Sequence, residues 1–218
     1  MARFTALDDY LAHAERQIDQ VRRRVLHGER IPHEEKVFSI FEPPTEWISK
    51  GKAGVPVELG LRVLVSKDQY GFILSHRVMV RETDDQVAVP VVEDLAKRFP
   101  NLHSVSLDKG VHSPANQQRL AEVVPLPVLP KKGKCNATEA AREADLEFRR
   151  LRRRHSAVES AINALEAHGL DRCPDHGLEG FKRYVALAVV GRNLHRLGAL
   201  LLAEEAERRR KAERKRAA

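Results

Sequence analysis

A β-α-β pattern in the first half of the chain limits the fold more than any other feature of the sequence. Apolar residues at alternate positions from Val57 to Val65 predict a strand with one buried face, and segment 70–80 predicts its return strand. Segment 87–99 predicts a helix, and SVSLD at 104–108 predicts a buried strand after it. Sites in open α/β sheets form where strands end. We therefore expect an α/β fold with a site near residue 108.

Signals for helix ends place the remaining elements. Apolar residues spaced four and three apart predict a helix that is ended by Gly28. Ser113 and Pro114 predict the start of a second helix, and Asn136 predicts the cap of a long basic helix that ends at Gly169. A last amphipathic helix runs into a basic tail. Two further strands are predicted, VFSIF at 37–41 and the proline-broken edge strand VPLPVLP at 124–130.

The charge balance of the chain favours an anionic partner. Its 218 residues include 38 Lys and Arg against 31 Asp and Glu, which gives a net charge of +7. Nucleic acid is the commonest partner of such a chain, although a solvated basic surface gives the same composition. The two cysteines provide no disulfide framework, and the N-terminus has no apolar signal segment. Charged residues interrupt the most apolar stretch, so we expect a cytoplasmic protein with no membrane partner.

Two carboxylates lie in settings that suit metal-dependent chemistry on phosphodiesters. Asp108 ends the buried strand before a Lys-Gly turn, and Glu159 lies on the basic helix, four residues after His155. Taken alone, Asp108 also fits an ordinary turn residue, and Glu159 fits a solvated helix face. Several cations are expected to contact nucleic acid. They are Arg149, Arg150, Arg152, Arg153, Arg154, His155 and Lys182.

Three stretches together resemble the C-terminal part of bacterial insertion-sequence DDE transposases, which have a ribonuclease-H-like catalytic core. They are VLHGERIPHEEKVFSIFEPPTEWISKGKAGVPVELGL, LDKGVHSPAN and HSAVESAINALEAHGLDRCPDHGLEGFKRYVALAVVGRNLHRLG. The resemblance implies DNA transposition by strand cleavage and transfer, with Mg²⁺ or Mn²⁺ as cofactor. Asp108 would be the second acid of the triad and Glu159 the third, both as catalytic residues and metal ligands. DNA would be the partner, with a homo-oligomer or an upstream transposase segment as a further one.

The chain departs from this family at the first acid of the triad, which lies on a first, central strand of the sheet. No segment of the sequence matches that strand, so we expect a transposase portion truncated at the N-terminus and inactive alone. The expected organisation is a helix at 1–30, a partial ribonuclease-H-like catalytic domain at 31–202 and a basic tail at 203–218. If the chain is active, Asp84 or Asp85 is expected to complete the site. The alternative is a non-catalytic DNA-binding or regulatory remnant.

Overall fold

The computed structural model of the chain describes residues 2–49, 56–170 and 172–217, and these form a mixed α/β fold with small sheets. Six α-helices are described. They are α1 (Ala2–Val21), α2 (Asp84–Arg98), α3 (Pro114–Val123), α4 (Ala137–Ala144), α5 (Leu146–Leu165) and α6 (Gly177–Ala217). Six strands accompany them. They are β1 (Glu46–Ser49), β2 (Val57–Gly60), β3 (Arg62–Lys67), β4 (Ile73–Met79), β5 (Ser104–Ser106) and β6 (Leu126–Val128).

The described strands form three separate two-stranded sheets. β1 pairs with β2 in antiparallel orientation, β3 pairs with β4, and β5 pairs with β6 in parallel orientation. The strand predicted at 124–130 is present as β6, and α3 makes the crossover between β5 and β6. The expected β-α-β unit of β4, α2 and β5 does not lie in one sheet, because β4 and β5 belong to different sheets.

Two expectations for the first half of the chain are wrong, and one strand was not predicted. VFSIF forms no strand, because Val37 donates its backbone N–H to the side chain of Gln20 and two prolines follow shortly after. The predicted strand from Val57 to Val65 is broken at Leu61 into β2 and β3, which have different partners. β1, the partner of β2, was not predicted.

The chain is divided into two compact units that are each assembled from separate segments of the sequence. Unit 1 contains residues 1–62, 78–81 and 174–182, and unit 2 contains 63–77, 82–173 and 183–218. The basic tail is the continuation of α6 rather than a separate element, since that helix runs without a break to Ala217.

The helix boundaries follow their capping chemistry. Ser113 accepts a hydrogen bond from the Asn116 backbone N–H, and Asn136 and Glu139 form the predicted capping box at the start of α4. The predicted single basic helix is two helices, because Asp145 adopts a non-helical conformation that ends α4 and caps α5. Gly169 has a φ of 101°, the left-handed conformation expected of a helix-ending glycine.

Two aliphatic clusters form the core of unit 2. The larger joins α2 to α3 and to the segments around β5 and β6. Its buried members are Ala88, Val89, Val92, Val111, Leu120, Val124 and Leu129. The smaller joins β4, α5 and α6 through Ile73, Leu165 and Val189. α5 therefore contacts both sheets of unit 2, since it also packs against β5 and β6.

Helix α6 is held on the β3–β4 turn by polar contacts. The Asn193 side chain accepts from the Ile73 N–H at 2.8 Å and donates to the Ile73 carbonyl at 2.9 Å. Arg196 Nε donates to the Tyr70 carbonyl at 2.7 Å, and a side chain at Gly71 would meet this guanidinium at 2.9 Å. This helix is also long and apolar enough to cross a membrane by length and composition, with 11% of the apolar window buried.

Candidate metal and nucleic-acid site

Asp108 lies directly after the parallel β5–β6 pair, at its carboxyl end. Leu107 still donates its N–H to the Val128 carbonyl at 3.0 Å, and the backbone then turns into a short 3₁₀ helix at Lys109–Val111. One carboxylate oxygen of Asp108 accepts from the Lys109 N–H at 2.7 Å. The side chain is exposed, so it presents an oriented carboxylate to solvent.

Glu159 lies past the middle of α5, a helix anchored at both ends by buried side chains. Phe148 in the first turn is 2% exposed, and Leu165 in the last turn is also 2% exposed. The Glu159 carboxylate is exposed and makes no hydrogen bond or ion pair with the part of the chain that the structure describes. It is therefore available to a cation or to solvent.

A contact of His155 brings the helix of Glu159 to the strand of Asp108. His155 Nδ1 lies 3.2 Å from the Ser106 carbonyl oxygen, two residues before Asp108. A carbonyl can only accept, so a hydrogen bond here requires the proton on Nδ1. Glu159 follows His155 by four residues and shares its side of the helix. The two predicted acids therefore belong to elements that contact each other beside Asp108.

A group of cations near the middle of α5 was not predicted from the sequence. Lys67, at the end of β3, donates from Nζ to the Ala157 carbonyl at 2.9 Å. Burial lowers the pKa of Lys67, and the nearby Arg192 and Arg196 guanidinium groups lower it further. Arg192 and Arg196 are four residues apart on α6, and that spacing was the only signal in the sequence. Nothing in the sequence indicated that Lys67 joins them.

The predicted basic residues do not form one surface. Successive residues of an α-helix point about 100° apart, so the consecutive Arg152, Arg153 and Arg154 face three directions. Arg152 alone among them shares the Glu159 side, and it pairs with Glu143 at 3.2 Å.

The other predicted cations fall into two groups. Arg150 pairs with Glu147 at 3.2 Å, and Lys182, in unit 1, pairs with Glu179 at 2.7 Å. Arg149, Arg153 and Arg154 are exposed, and their side chains make no ion pair with described residues. Those three arginines are the cations of this helix most open to an external anion.

The first turn of α2 lies close to the turn that follows Asp108. Asn116 Nδ2 donates to the Asp85 carbonyl at 2.8 Å and to the Val111 carbonyl at 2.9 Å, which joins α2 to the 3₁₀ helix. Asp84 and Asp85 are the first residues of α2, after a capping box formed by Thr83 and Gln86. The described residues contain no group of three or more His, Cys, Asp or Glu side chains close enough to hold a metal ion.

Comparisons of the chain with protein-family models, with curated proteins and with solved structures found no match.

Proposed function

We propose that this chain carries part of the catalytic centre of a DDE-type transposase and acts on DNA phosphodiesters with a divalent metal. The observation that supports the proposal most is the His155–Ser106 contact, which sets the Glu159 helix beside the end of the Asp108 strand. A carboxylate at a strand end and another on an adjoining helix suit two-metal phosphodiester chemistry.

The donor types of the proposed site fit magnesium. Mg²⁺ prefers a few carboxylates together with water and phosphate oxygens, and Asp108 and Glu159 are exposed carboxylates. When bound, the metal activates the attacking oxygen and stabilises the leaving oxygen. Asp108 is held by its bond to the Lys109 N–H, so it needs little reorientation to act as a ligand. Lys67, Arg192 and Arg196 offset the charge of DNA phosphates that approach α5.

A ribonuclease-H-like sheet would require a strand between the β3–β4 pair and the β5–β6 pair. The hydrogen bonds from Leu126 to His103 and from Leu107 to Val128 show which residues of β5 face β6. Backbone groups alternate in direction along a strand, so Ser104 and Ser106 point away from β6. A further strand bearing the first acid of the triad would pair with that edge beginning at Ser104, since the Ser106 carbonyl is already contacted by His155.

Paramagnetic Mn²⁺ tests the proposed site. We expect added Mn²⁺ to broaden the backbone NMR signals around Asp108 and Glu159 first. Asp108→Asn and Glu159→Gln should each abolish this selective broadening, whereas Glu122→Gln, at an exposed acid of α3, should retain it. Broadening that begins elsewhere, or that survives both substitutions, would contradict the assignment.

The same reasoning gives an activity test. Only two of the three acids of the triad are assigned. The chain alone should therefore show no strand cleavage or transfer on DNA with Mg²⁺ or Mn²⁺. If it cleaves DNA, Asp84→Asn and Asp85→Asn should be compared, because Asn116 joins their turn to that of Asp108. Loss of cleavage in one of them would identify the third acid.

A second function, DNA binding without catalysis, is favoured by the exposed Arg149, Arg153 and Arg154, which make no ion pair with described residues. Phosphate contacts carry no sequence information, so binding should be weakly specific and should fall steeply as salt rises. Replacing Arg153 and Arg154 with Ala should flatten the slope of log affinity against log salt by roughly one per lost contact. Arg119→Ala, at an arginine paired with Glu93 on another face, is the control. Metal-independent binding with no Mn²⁺ effect would favour this function over the first.

A further inference from the structure

Helix α6 carries a second apolar stripe that is largely exposed to solvent in the described chain. The stripe consists of large apolar residues separated alternately by three and four positions, and they are 44% to 68% exposed. They are Leu187, Val190, Leu194, Leu197 and Leu201. An unbroken three-four spacing is the pattern of a helix that packs along a second helix. Exposed apolar surface of this extent and order marks an interaction site.

The stripe is distinct from the face of α6 that belongs to the core of unit 2. Val185 and Val189 are buried, and Asn193 is bonded to Ile73 on that inner face. The apolar side chains of the outer stripe are therefore not needed to attach α6 to β4. They form a second interface on the same helix.

Two glycines flank the outer stripe and indicate how closely its partner approaches. Gly191 and Gly198 are seven residues apart on the same edge of the stripe. A methyl group added at either position would meet no atom within 4 Å. Glycine weakens a helix interior relative to alanine, and no contact among the described residues requires it at these positions. A partner backbone passing close to this edge provides a reason.

We propose that a second copy of this chain occupies the stripe, with the two α6 helices antiparallel. Antiparallel pairing centred at the level of Arg192 sets Leu187 against Leu197 of the second copy, and Val190 against Leu194 of the second copy. The twofold axis repeats both layers, so the seam is self-complementary over about 15 Å of helix. Gly191 and its counterpart lie one residue to either side of that centre, along the edge of the seam, where the small side chain lets the two backbones approach.

The charged residues that follow the stripe favour antiparallel over parallel pairing of the two α6 helices. Beyond Leu201 the same three-four spacing continues through charged residues at 204, 208, 211 and 215. Parallel pairing would set each of these residues against its own copy, with glutamate facing glutamate and cation facing cation. Antiparallel pairing separates the two basic ends to opposite sides of the dimer. A seam this short belongs to the weak interfaces, so the dimer depends on protein concentration.

The same exposed apolar stripe would also suit insertion into a lipid bilayer, but the other contacts of α6 favour a protein partner. A helix that crosses a bilayer alone is surrounded by lipid and is apolar around its whole circumference. On α6 the inner face is already bound to the hairpin through Asn193 and Arg196. This inference does not rest on the proposed DNA chemistry, since no acid of that site lies on α6.

Sedimentation velocity of the full chain tests the dimer. We expect the wild-type chain to shift from monomer to dimer as its concentration rises, and Gly191→Leu to remain monomeric. A Cβ at position 191 meets no atom of the same chain within 4 Å, and leucine favours a helix over glycine, so circular dichroism should show undiminished helix content. Ala203→Leu adds the same side chain on the opposite face of α6 and should dimerise like the wild type. A wild-type chain that stays monomeric, or a Gly191→Leu chain that still dimerises, would overturn the proposal.

Cysteine cross-linking tests the direction of the helices. Mixing Leu187→Cys chains with Leu197→Cys chains should give a disulfide-linked heterodimer on mild oxidation, and neither variant alone should do so beyond the wild-type background. Efficient self-linking of each variant would show parallel pairing and overturn the antiparallel arrangement. Flotation of the wild-type chain with phosphatidylcholine–phosphatidylglycerol vesicles, lost in Leu194→Asp, would identify a membrane as the occupant instead.

Discussion

Different forces stabilise the two units of the chain. Nearly all buried apolar side chains of the described residues lie in unit 2, where valines and leucines of α2, α3, α5 and α6 interdigitate. Unit 1 contributes Ile31 and Met79 to that set, together with the polar Gln20. Apolar burial is the main stabilising term in folding, so unit 2 should be the more stable part of the chain. Unit 1 depends on a small number of directed contacts.

Those contacts converge on the last turns of α1 and the segment after it. Gln20 donates to the Glu35 carbonyl at 2.9 Å and accepts from the Val37 N–H at 3.2 Å. Arg23 binds Glu29 at 2.8 Å and Glu35 at 2.7 Å, and these hydrogen bonds raise the pKa of the guanidinium. Polar contacts of this kind fix geometry but contribute less free energy than a packed core.

The largest expected effect is in the core of unit 2. Phe148→Ala removes one of the largest fully buried side chains and should lower the free energy of unfolding by about 3–5 kcal/mol. Urea denaturation followed by circular dichroism measures the loss. Leu146→Ala, two residues earlier and 81% exposed, should change stability by less than about 0.5 kcal/mol. Similar losses in the two variants would show that the α5 anchor does not depend on Phe148.

A smaller, local effect is expected in unit 1. Gln20→Met keeps a side chain of similar length but leaves the Glu35 carbonyl and the Val37 N–H without their partner, at a cost of about 1–3 kcal/mol. Hydrogen exchange should accelerate at Val37 and its neighbours while the amides of α2 stay protected. Gln118→Met, at an exposed position of α3, is the control. Equal acceleration in both units would mean that the two unfold together.

The smallest expected effect depends on pH and belongs to unit 2. Burial on β4 lowers the pKa of His76, so the folded chain favours the neutral ring more than the unfolded chain does. Below about pH 6.5 the unfolded state then binds more protons, and stability falls as the pH drops through that range. His76→Asn should reduce this acid sensitivity, measured as the urea midpoint against pH. His103→Asn, at an exposed histidine, is the matched control. An unchanged pH profile in His76→Asn would exclude His76 as the cause of the acid sensitivity.

Local chemistry explains which elements were predictable from the sequence. The caps at Ser113, Asn136 and Gly169 and the strand before Asp108 depend on neighbouring residues, and the structure has all of them. The break at Leu61 depends on strand partners that lie elsewhere in the chain. The same is true of VFSIF, whose backbone bonds to Gln20 rather than to a strand.

The candidate site likewise has features that could be predicted from the sequence and features that could not. A strand-end aspartate and a helical glutamate on the His155 side could be read from spacing alone. The contact of His155 with Ser106 and that of Lys67 with Ala157 join residues 49 and 90 positions apart, and no spacing rule predicts them. The unequal directions of Arg152, Arg153 and Arg154 follow from helix geometry and could have been predicted.

Unit 1 is built from segments that lie far apart in the sequence, and this has a consequence for its folding during synthesis on the ribosome. Its segments end at residues 62, 81 and 182, and the Gly177 N–H is bonded to Glu42 across that interval at 3.0 Å. At roughly 5–20 residues per second, the last segment is made about 6–24 s after the first. During that time the first segment has emerged without its final partner. Completion of unit 1 therefore waits for the synthesis of residues 174–182, long after its first segment has been made.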